Sequence, residues 1–196
     1  MKIAILDRDG TLNQLGEEVI TTPEDWHAEP GALEAVARLN RGGWHVVVAT
    51  NQPGLGRGII DVMELNAIHA KMLRQLATLG GRIDAVFYCP HVPDDACACR
   101  KPAPGLLEQI AERYGVEPRD VRVAGNNPEH LQAGAAIGAR LHLVCTGLSA
   151  HLAPGQPLPP EVPPGTLVHA DLQAFAEHLL ATAQPEPALP PHAIER

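Results

Sequence analysis

Residues 3–11 read Ile3-Ala4-Ile5-Leu6-Asp7-Arg8-Asp9-Gly10-Thr11, and this stretch decides the fold. A short apolar run bounded by Gly predicts a buried strand, and α/β folds place their chemistry at strand ends. Two carboxylates at such an end can divide the work, because one can attack or hold a metal while the other transfers a proton. An ordinary Asp-Gly turn after an edge strand is the alternative interpretation. The residues that follow favour the first.

The composition is that of an ordinary globular protein, with 196 residues of which 45% are hydrophobic and 19% charged. This length predicts one domain, residues 1–183, followed by a Pro-rich tail, 184–196, that we expect to be disordered. A net charge of −8 argues against nucleic acid and acidic membranes as partners. No apolar run is long enough for a membrane helix and none resembles a signal peptide, so we expect a cytoplasmic protein, and a monomer.

Apolar runs alternate with helical patterns along the chain. This alternation predicts an α/β fold, a Rossmann-like parallel sheet with helices on both faces. The predicted strands are 2–6, 44–49, 83–88, 121–124, 141–145 and, more weakly, 166–169. The predicted helices are 31–40, 62–79, 105–114, 128–137 and a last one from Asp171 to about Leu180.

The second predicted strand also ends in polar residues, Thr50-Asn51-Gln52, followed by a Gly-rich turn that contains Arg57. A hydroxyl, an amide and a Gly-rich turn can all donate hydrogen bonds to a phosphoryl oxygen. Taken alone, this stretch is more typical of a polar loop in which Thr50 makes only local contacts.

Arg100 and Lys101 lie directly before a predicted helix. Two cations are unfavourable there, because a helix N-terminus already carries a partial positive charge. A nearby anion would remove the conflict, and a guanidinium fork beside an ammonium group suits a phosphorylated substrate. The alternative is a solvated basic pair.

Three thiols and one imidazole lie within eleven residues, at Cys89, His91, Cys97 and Cys99. In a reducing compartment such clustering favours a metal over disulfides. Three sulfur ligands and one nitrogen are typical of a closed, tetrahedral, structural Zn²⁺ site. The alternative is that the cysteines cluster by chance.

These motifs, in this order, resemble the haloacid-dehalogenase-type phosphatases. The resemblance is greatest to the D-glycero-D-manno-heptose-1,7-bisphosphate phosphatases, with histidinol-phosphate phosphatases as a sister family, and covers about residues 1–150. It rests on the stretches Asp7–Thr11, Thr50–Gly58, Cys89–His91 and Cys97–Pro102. The resemblance implies a short zinc-bound loop in place of a large cap, and a small phosphorylated sugar as substrate, used in heptose synthesis for lipopolysaccharide.

The resemblance also implies roles for single residues. Asp7 would attack phosphorus and form an aspartyl-phosphate, and Asp9 would act as general acid and then as general base. Mg²⁺ would be bound by Asp7, Asp9 and Asn126. The phosphate and substrate would be bound by Thr50, Asn51, Gln52, Arg57, Arg100 and Lys101, and zinc would fix the position of the last two.

The fourth strand departs from the family pattern. The family has Gly-Asp-x-x-x-Asp, whereas Asn126 and His130 stand here at the two acidic positions. Smaller departures occur at Leu15, Glu18, Pro53 and Leu148. We therefore predict a Mg²⁺-dependent phosphatase that removes the 7-phosphate of D-glycero-D-manno-heptose 1,7-bisphosphate. One alternative is a phosphosugar-binding or regulatory relative with weak or no turnover. A second is a phosphatase of histidinol phosphate or another small phosphomonoester.

Overall fold

Six parallel strands form one sheet in the computed structural model, which describes residues 1–16 and 19–182. Their order in the sheet is β3-β2-β1-β4-β5-β6. The strands are β1 (Ile3–Leu6), β2 (His45–Asn51), β3 (Ala85–Cys89), β4 (Val121–Gly125), β5 (Arg140–Val144) and β6 (Leu167–His169). The predicted α/β architecture is confirmed, including the weak sixth strand.

Helices connect the strands, as alternation of the two patterns requires. They are α1 (Ala32–Arg41), α2 (Pro53–Gly56), α3 (Val62–Thr78), α4 (Gly105–Tyr114), α5 (Pro128–Ile137) and α6 (Leu172–Thr182). Helix α2 was not predicted, because its single turn is Gly-rich. Pro53 begins it at a position where the missing N–H of proline costs no hydrogen bond.

The central strands are buried on both faces. In β1, Ile3 and Ile5 pack on the face covered by α4 and α5, whereas Ala4 and Leu6 pack on the other face, beneath α1, α3 and α6. A strand that is covered on both sides reads as a continuous apolar run, because neither set of alternating side chains meets water. This burial explains why β1 is uninterrupted by polar residues until Asp7.

The fold brings together the ends of the strands that the sequence motifs follow. The chain runs from β1 outward through β2 and β3, and then returns to place β4 on the other side of β1. Open parallel sheets bind ligands at such a switch point, outside the carboxyl ends of the strands. Gly10 turns the chain there with φ of 79°, and a Cβ atom at this position would lie 2.5 Å from Oδ1 of Asn126. Glycine is therefore required at this turn.

Two expectations concern the limits of the chain. The tail at 184–196 lies outside the described residues, so its disorder and the single domain at 1–183 stay predictions. Within 1–16 and 19–182, no helix combines the length and the apolar character that crossing a membrane requires.

Candidate active site

An ion pair between Asp7 and Lys101 lies at the centre of the site. Asp7 directly follows β1, and its Oδ1 accepts hydrogen bonds from Nζ of Lys101 and from the backbone N–H of Arg8, both at 2.9 Å. Nζ of Lys101 also donates to the carbonyl of Ala49 at 2.8 Å and lies 3.0 Å from Nδ1 of His130. All three ammonium protons therefore have acceptors. Lys101 is only 1% exposed, so its charge is fixed in place.

His130 holds Lys101 from the side opposite Asp7. Its side chain is fully buried, and Nε2 lies 3.4 Å from the carbonyl oxygen of Ile5. Burial, and secondly the Lys101 charge, hold the pKa of His130 well below its ordinary value. The imidazole is therefore neutral, and a proton on Nε2 leaves Nδ1 free to accept from the ammonium group. Gly125 makes room for the ring, since a Cβ atom there would lie 2.8 Å from it.

The carboxylate of Asp9 is held by side chains on one side and faces the cavity on the other. It accepts hydrogen bonds from Nε and Nη2 of Arg8 at 3.0 and 3.2 Å, from Asn13 at 3.1 Å and from Gln52 at 3.0 Å. Its side chain keeps 31% of its surface exposed. This arrangement fixes the orientation of the carboxylate and leaves it accessible, as a group that exchanges protons with substrate and water must be.

Two residues that support Asp9, namely Arg8 and His69, were not predicted as site residues. Arg8 is buried, and its Nη1 lies 3.1 Å from Nε2 of His69 on α3. Burial first, and then the Arg8 charge, lower the pKa of His69 to about 4, so this imidazole is neutral and accepts from the guanidinium. The position of Arg8 between two aspartates could have indicated that its guanidinium pairs with one of them. Nothing in the sequence connects His69 to Arg8, 61 residues away.

The end of β2 carries the predicted phosphate-binding residues. The hydroxyl of Thr50 is buried and accepts a hydrogen bond from Gln52 at 2.9 Å. Asn51 makes two hydrogen bonds to the backbone of Lys101, one to its N–H and one to its carbonyl, both at 3.0 Å. Asn51 therefore fixes the segment that carries the central cation. Arg57 lies exposed at the end of α2 and does not line the cavity at Asp7.

A cavity of about 210 Å³ lies between the strand ends. Both carboxylates and both predicted cations face it, together with two leucines and several polar groups. Its lining residues are Asp7, Asp9, Leu15, Thr50, Asn51, Pro53, Arg100, Lys101, Asn127, Glu129 and Leu148. A small cavity with fixed cations beside a carboxylate can bind a phosphoryl group next to a nucleophile.

Asn126 is fully buried against the turn after β1. Its Oδ1 accepts from the backbone N–H of Leu148 at 2.9 Å, while its Nδ2 donates to the carbonyl of Asp9 at 2.7 Å and to the Thr11 hydroxyl at 2.9 Å. The backbone N–H must face an oxygen, and this fixes the orientation of the amide. The side chain therefore connects the end of β4 to the turn that carries Asp9, and its role as a metal ligand stays a prediction.

The donor set fits Mg²⁺ in chemical type. The carboxylate of Asp7, the carbonyl of Asp9 and the amide of Asn126 all supply oxygen, the ligand atom that this hard cation prefers. In this structure the Asn126 amide presents its NH₂ group to the Asp9 carbonyl, and its oxygen accepts from the backbone N–H of Leu148. The set carries one formal negative charge, because only Asp7 contributes an anionic ligand.

The four predicted zinc ligands come together beside the cavity. One ligand atom from each of Cys89, His91, Cys97 and Cys99 lies within 4.8 Å of all the others. Nδ1 of His91, for example, is 3.4 Å from Sγ of Cys89 and 3.3 Å from Sγ of Cys99. This arrangement suits one tetrahedral ion with no open position.

The zinc-ligand loop, residues 89–99 with the four predicted ligands, contacts Arg100 directly. Nη1 of Arg100 donates to the carbonyl of His91 at 3.3 Å. The backbone N–H of Arg100 is the main cause of a lowered pKa at the Cys97 thiol. A metal ion in this loop would therefore order Arg100.

Three of the smaller departures line the cavity. Leu15, Pro53 and Leu148 all face it, whereas Glu18 lies outside the described residues. Two of these departures, Leu15 and Leu148, therefore give the cavity wall apolar side chains.

Known proteins match this chain over most of its length. The family model described as polynucleotide kinase 3 phosphatase matches residues 2–140. A D-glycero-beta-D-manno-heptose-1,7-bisphosphate 7-phosphatase of Bordetella bronchiseptica is 50% identical over 184 residues, which make up 93% of this chain and 100% of that protein. A protein of the same name from Pseudomonas aeruginosa is 43% identical over 178 residues, 91% of this chain and 97% of that protein.

A solved structure gives the same result. The D,D-heptose 1,7-bisphosphate phosphatase from B. bronchiseptica, complexed with magnesium and phosphate, superposes with a TM-score of 0.86 at 48% identity, covering 93% of this chain and 100% of that one. The chain belongs to the haloacid-dehalogenase-type phosphatases, in the family of the heptose-1,7-bisphosphate phosphatases, and is a phosphoric monoester hydrolase.

Proposed function

We propose that this enzyme removes the 7-phosphate of D-glycero-D-manno-heptose 1,7-bisphosphate through an aspartyl-phosphate intermediate. The names of the relatives support the substrate. The observation that carries the mechanism is the fixed contact of Asp7 with Lys101 at 2.9 Å, at the wall of a cavity that Asp9 also faces. A carboxylate can attack a phosphate ester only when neighbouring cations offset the negative charge of the phosphoryl group.

In the first step, Asp7 attacks phosphorus. Its Oδ1 accepts two hydrogen bonds, and within the described residues Oδ2 accepts none, so Oδ2 is the oxygen available as nucleophile. As the Asp7–phosphorus bond forms, the bond from phosphorus to the sugar oxygen breaks. The carboxyl of Asp9 gives its proton to that oxygen, and the sugar leaves as an alcohol.

In the second step, water releases the phosphate. Asp9, now a carboxylate, takes a proton from a water molecule whose oxygen attacks phosphorus. The bond between phosphorus and Asp7 breaks, which returns the Asp7 carboxylate and frees orthophosphate. Thr50 and Lys101 hold the phosphoryl oxygens during both steps, and Arg100 binds the substrate at the mouth of the cavity.

Two metal ions belong to this proposal. Mg²⁺ would be held by the Asp7 carboxylate, the Asp9 carbonyl and Asn126, and would neutralise charge on the phosphoryl group. Support comes from the magnesium and phosphate in the B. bronchiseptica structure. Zn²⁺ would be held by Cys89, His91, Cys97 and Cys99 and would stabilise the loop without taking part in the reaction.

The two alternative functions receive less support. Asn126 and His130 favour a binding protein with weak turnover, but the nucleophile, the acid and the cation of the reaction are all present and oriented. The relatives named above do not favour a histidinol-phosphate phosphatase. We also propose a cytoplasmic monomer, in keeping with four free cysteines.

The substrate proposal is tested by phosphate release. The enzyme should release phosphate from heptose 1,7-bisphosphate at a kcat/KM at least about 100-fold higher than from histidinol phosphate, and identification of the product by NMR should show loss of the 7-phosphate. Release of the 1-phosphate, or a preference for histidinol phosphate, would refute the assignment. Asp120→Asn, an exposed change away from the cavity, is the matched control for handling of variants.

A further inference from the structure

We infer that this enzyme binds phosphate before Mg²⁺, so that the metal binds tightly only when a phosphoryl group already occupies the cavity. The inference rests on the proposed function and concerns the regulation of the same site. It follows from the charges around the cavity and from the hydrogen bonds of Asn126 and His130.

The cavity is neutral without any ion. Its negative groups are Asp7, Asp9 and Glu129, and the positive groups that line or contact them are Arg8, Arg100 and Lys101. Aspartates at positions 126 and 130, as in the family pattern, would add two negative charges, which one Mg²⁺ would balance. In this chain both positions are neutral. A divalent cation entering the empty cavity therefore finds no net charge to attract it.

Asn126 adds a second obstacle. To ligate a metal next to the Asp9 carbonyl it must present oxygen there, but its NH₂ group now faces that carbonyl at 2.7 Å. Turning the amide over would place NH₂ against the backbone N–H of Leu148, which now donates to Oδ1 at 2.9 Å. Losing satisfied buried hydrogen bonds is costly, so the resting site opposes metal binding.

His130 explains why the cavity is stable in this state. An aspartate at this position would pair with Lys101 and share its charge with Asp7. The neutral imidazole accepts one ammonium proton at 3.0 Å and leaves the full positive charge of Lys101 directed at Asp7 and at the cavity. The charge of Lys101 therefore attracts an incoming anion without a metal, and a phosphoryl oxygen that binds to the ammonium group must replace one of its three present acceptors.

A bound phosphoryl group makes the net charge of the cavity negative. A phosphate monoester carries close to two negative charges at neutral pH. Once bound beside Lys101 and Arg100, it supplies the negative charge that the two missing aspartates would have supplied, together with further oxygen ligands. Mg²⁺ and phosphate should thus bind with strong positive coupling, and by linkage each should tighten the other by the same factor.

Isothermal titration of the wild-type protein tests this directly, with orthophosphate as the probe. In the presence of a chelator of divalent cations, orthophosphate alone should give a measurable binding isotherm. Mg²⁺ alone should bind weakly, and saturating orthophosphate should lower its dissociation constant by about 100-fold, toward the upper end of typical coupling. Equal Mg²⁺ affinity with and without phosphate, or no phosphate binding without Mg²⁺, would overturn the inference.

Two variants test whether Asn126 and His130 are the origin of the coupling between Mg²⁺ and phosphate. The double change Asn126→Asp and His130→Asp should allow Mg²⁺ to bind without phosphate and should reduce the coupling at least tenfold. Asn127→Ser is the matched control: Asn127 lines the same cavity and caps α5 by accepting from Glu129 N–H at 2.9 Å, and serine can also cap the helix while adding no charge to the cavity. The control should keep the wild-type coupling. A control that abolishes the coupling as the double variant does would exclude the amide of Asn126 as its origin.

The binding data and the activity data can fail separately. Strong coupling in a protein that releases no phosphate from heptose 1,7-bisphosphate would support this inference and refute the proposed function. Hydrolysis by a protein that binds Mg²⁺ equally well with or without phosphate would do the reverse. Should the double variant not fold, the two wild-type titrations decide the matter without it.

Discussion

Different interactions hold the side chains in place on the two sides of the active site. On the side of β1, β2 and β3, charged groups are paired directly, Asp7 with Lys101 and Asp9 with Arg8. On the β4 side, Asn126 and His130 are buried and neutral, and each makes hydrogen bonds to the charged side. A buried charge is tolerated only when it is paired, whereas neutral polar groups need only hydrogen bonds.

This difference separates two tasks that a phosphatase site performs. In the proposed mechanism, bond making and breaking depend on Asp7 and Asp9, and both belong to the charged side. Attraction of a divalent cation depends on net negative charge, and in this chain positions 126 and 130 of the β4 side supply none. We therefore expect changes on the charged side to remove activity, and changes on the β4 side to alter the metal requirement.

The largest effect is expected at the nucleophile. Asp7→Asn keeps the shape of the side chain but cannot form an aspartyl-phosphate, so phosphate release should fall by about 10⁴-fold or more. The assay is steady-state phosphate release, with circular dichroism to check folding. Asp120→Asn should keep wild-type activity. Activity of Asp7→Asn within tenfold of the wild type would show that the charged side does not carry the covalent chemistry.

The zinc-ligand loop belongs to the charged side through Arg100. Structural zinc sites contribute roughly 10–16 kcal/mol over four ligands, so losing one ligand should cost on the order of 3 kcal/mol, about 100-fold in zinc affinity. The wild-type protein should contain about one zinc per chain by mass spectrometry. Cys97→Ala should lose zinc under mild chelation and raise KM through Arg100.

Cys145→Ala is the matched control, because Cys145 is a free cysteine outside the ligand group. It should retain both zinc and KM. Protein purified without chelators and found to contain no zinc would refute the zinc assignment, and the order of Arg100 would then need another cause.

Introducing the aspartates of the family pattern at positions 126 and 130 tests the β4 side. Asn126→Asp with His130→Asp should lower the Mg²⁺ concentration for half-maximal activity by about 10- to 100-fold and raise the rate at saturation, because a hard cation binds charged oxygen ligands more tightly. Titration of activity with Mg²⁺ in both proteins measures this. Identical Mg²⁺ dependence would mean that Asn126 does not face the metal.

The parts of this structure that short sequence patterns define could be predicted. The strands and longer helices followed from local periodicity, and the three thiols and one imidazole that come together beside the cavity lie within eleven residues of one another. Asp7 and Asp9 were identifiable because a buried strand directly precedes them. In each case the chemical signal and the structural signal are close together in the chain.

Contacts between distant residues could not be predicted in the same way. The bond from Asn126 to the Asp9 carbonyl joins residues 117 positions apart, and the contact of Arg8 with His69 spans 61. Periodicity assigns His69 to the core and gives no reason for a cation beside it. Arg57 shows the limit of a local motif, because a basic residue in a Gly-rich turn was predicted at the phosphate; it lies exposed at the end of α2, and its contact with substrate stays a prediction.

The smallest effect concerns the buried imidazoles, one on each side of the site. His69 has its pKa lowered to about 4, mainly by burial and then by Arg8, and the pKa of His130 is also lowered well below 6.5. In the unfolded chain both imidazoles take up protons near pH 6.5. The unfolded state therefore binds more protons between pH 6.5 and 4, so stability is complete above pH 6.5 and decreases as the pH falls through this range.

The change His69→Gln tests this linkage, because glutamine can still accept from Arg8 but cannot bind a proton. For the wild type, the His69 contribution to the free energy of unfolding should decrease by about 1.3 kcal/mol between pH 7.5 and 5.5, at roughly 1.4 kcal/mol per pH unit for one proton. Urea unfolding at the two pH values should show a decrease smaller by that amount in His69→Gln. His151→Gln, an exposed control, should leave the wild-type difference unchanged. If His69→Gln loses as much stability on acidification as the wild type, then His69 is protonated beside Arg8 in the folded protein, and the charged side is not held by a neutral imidazole as the β4 side is.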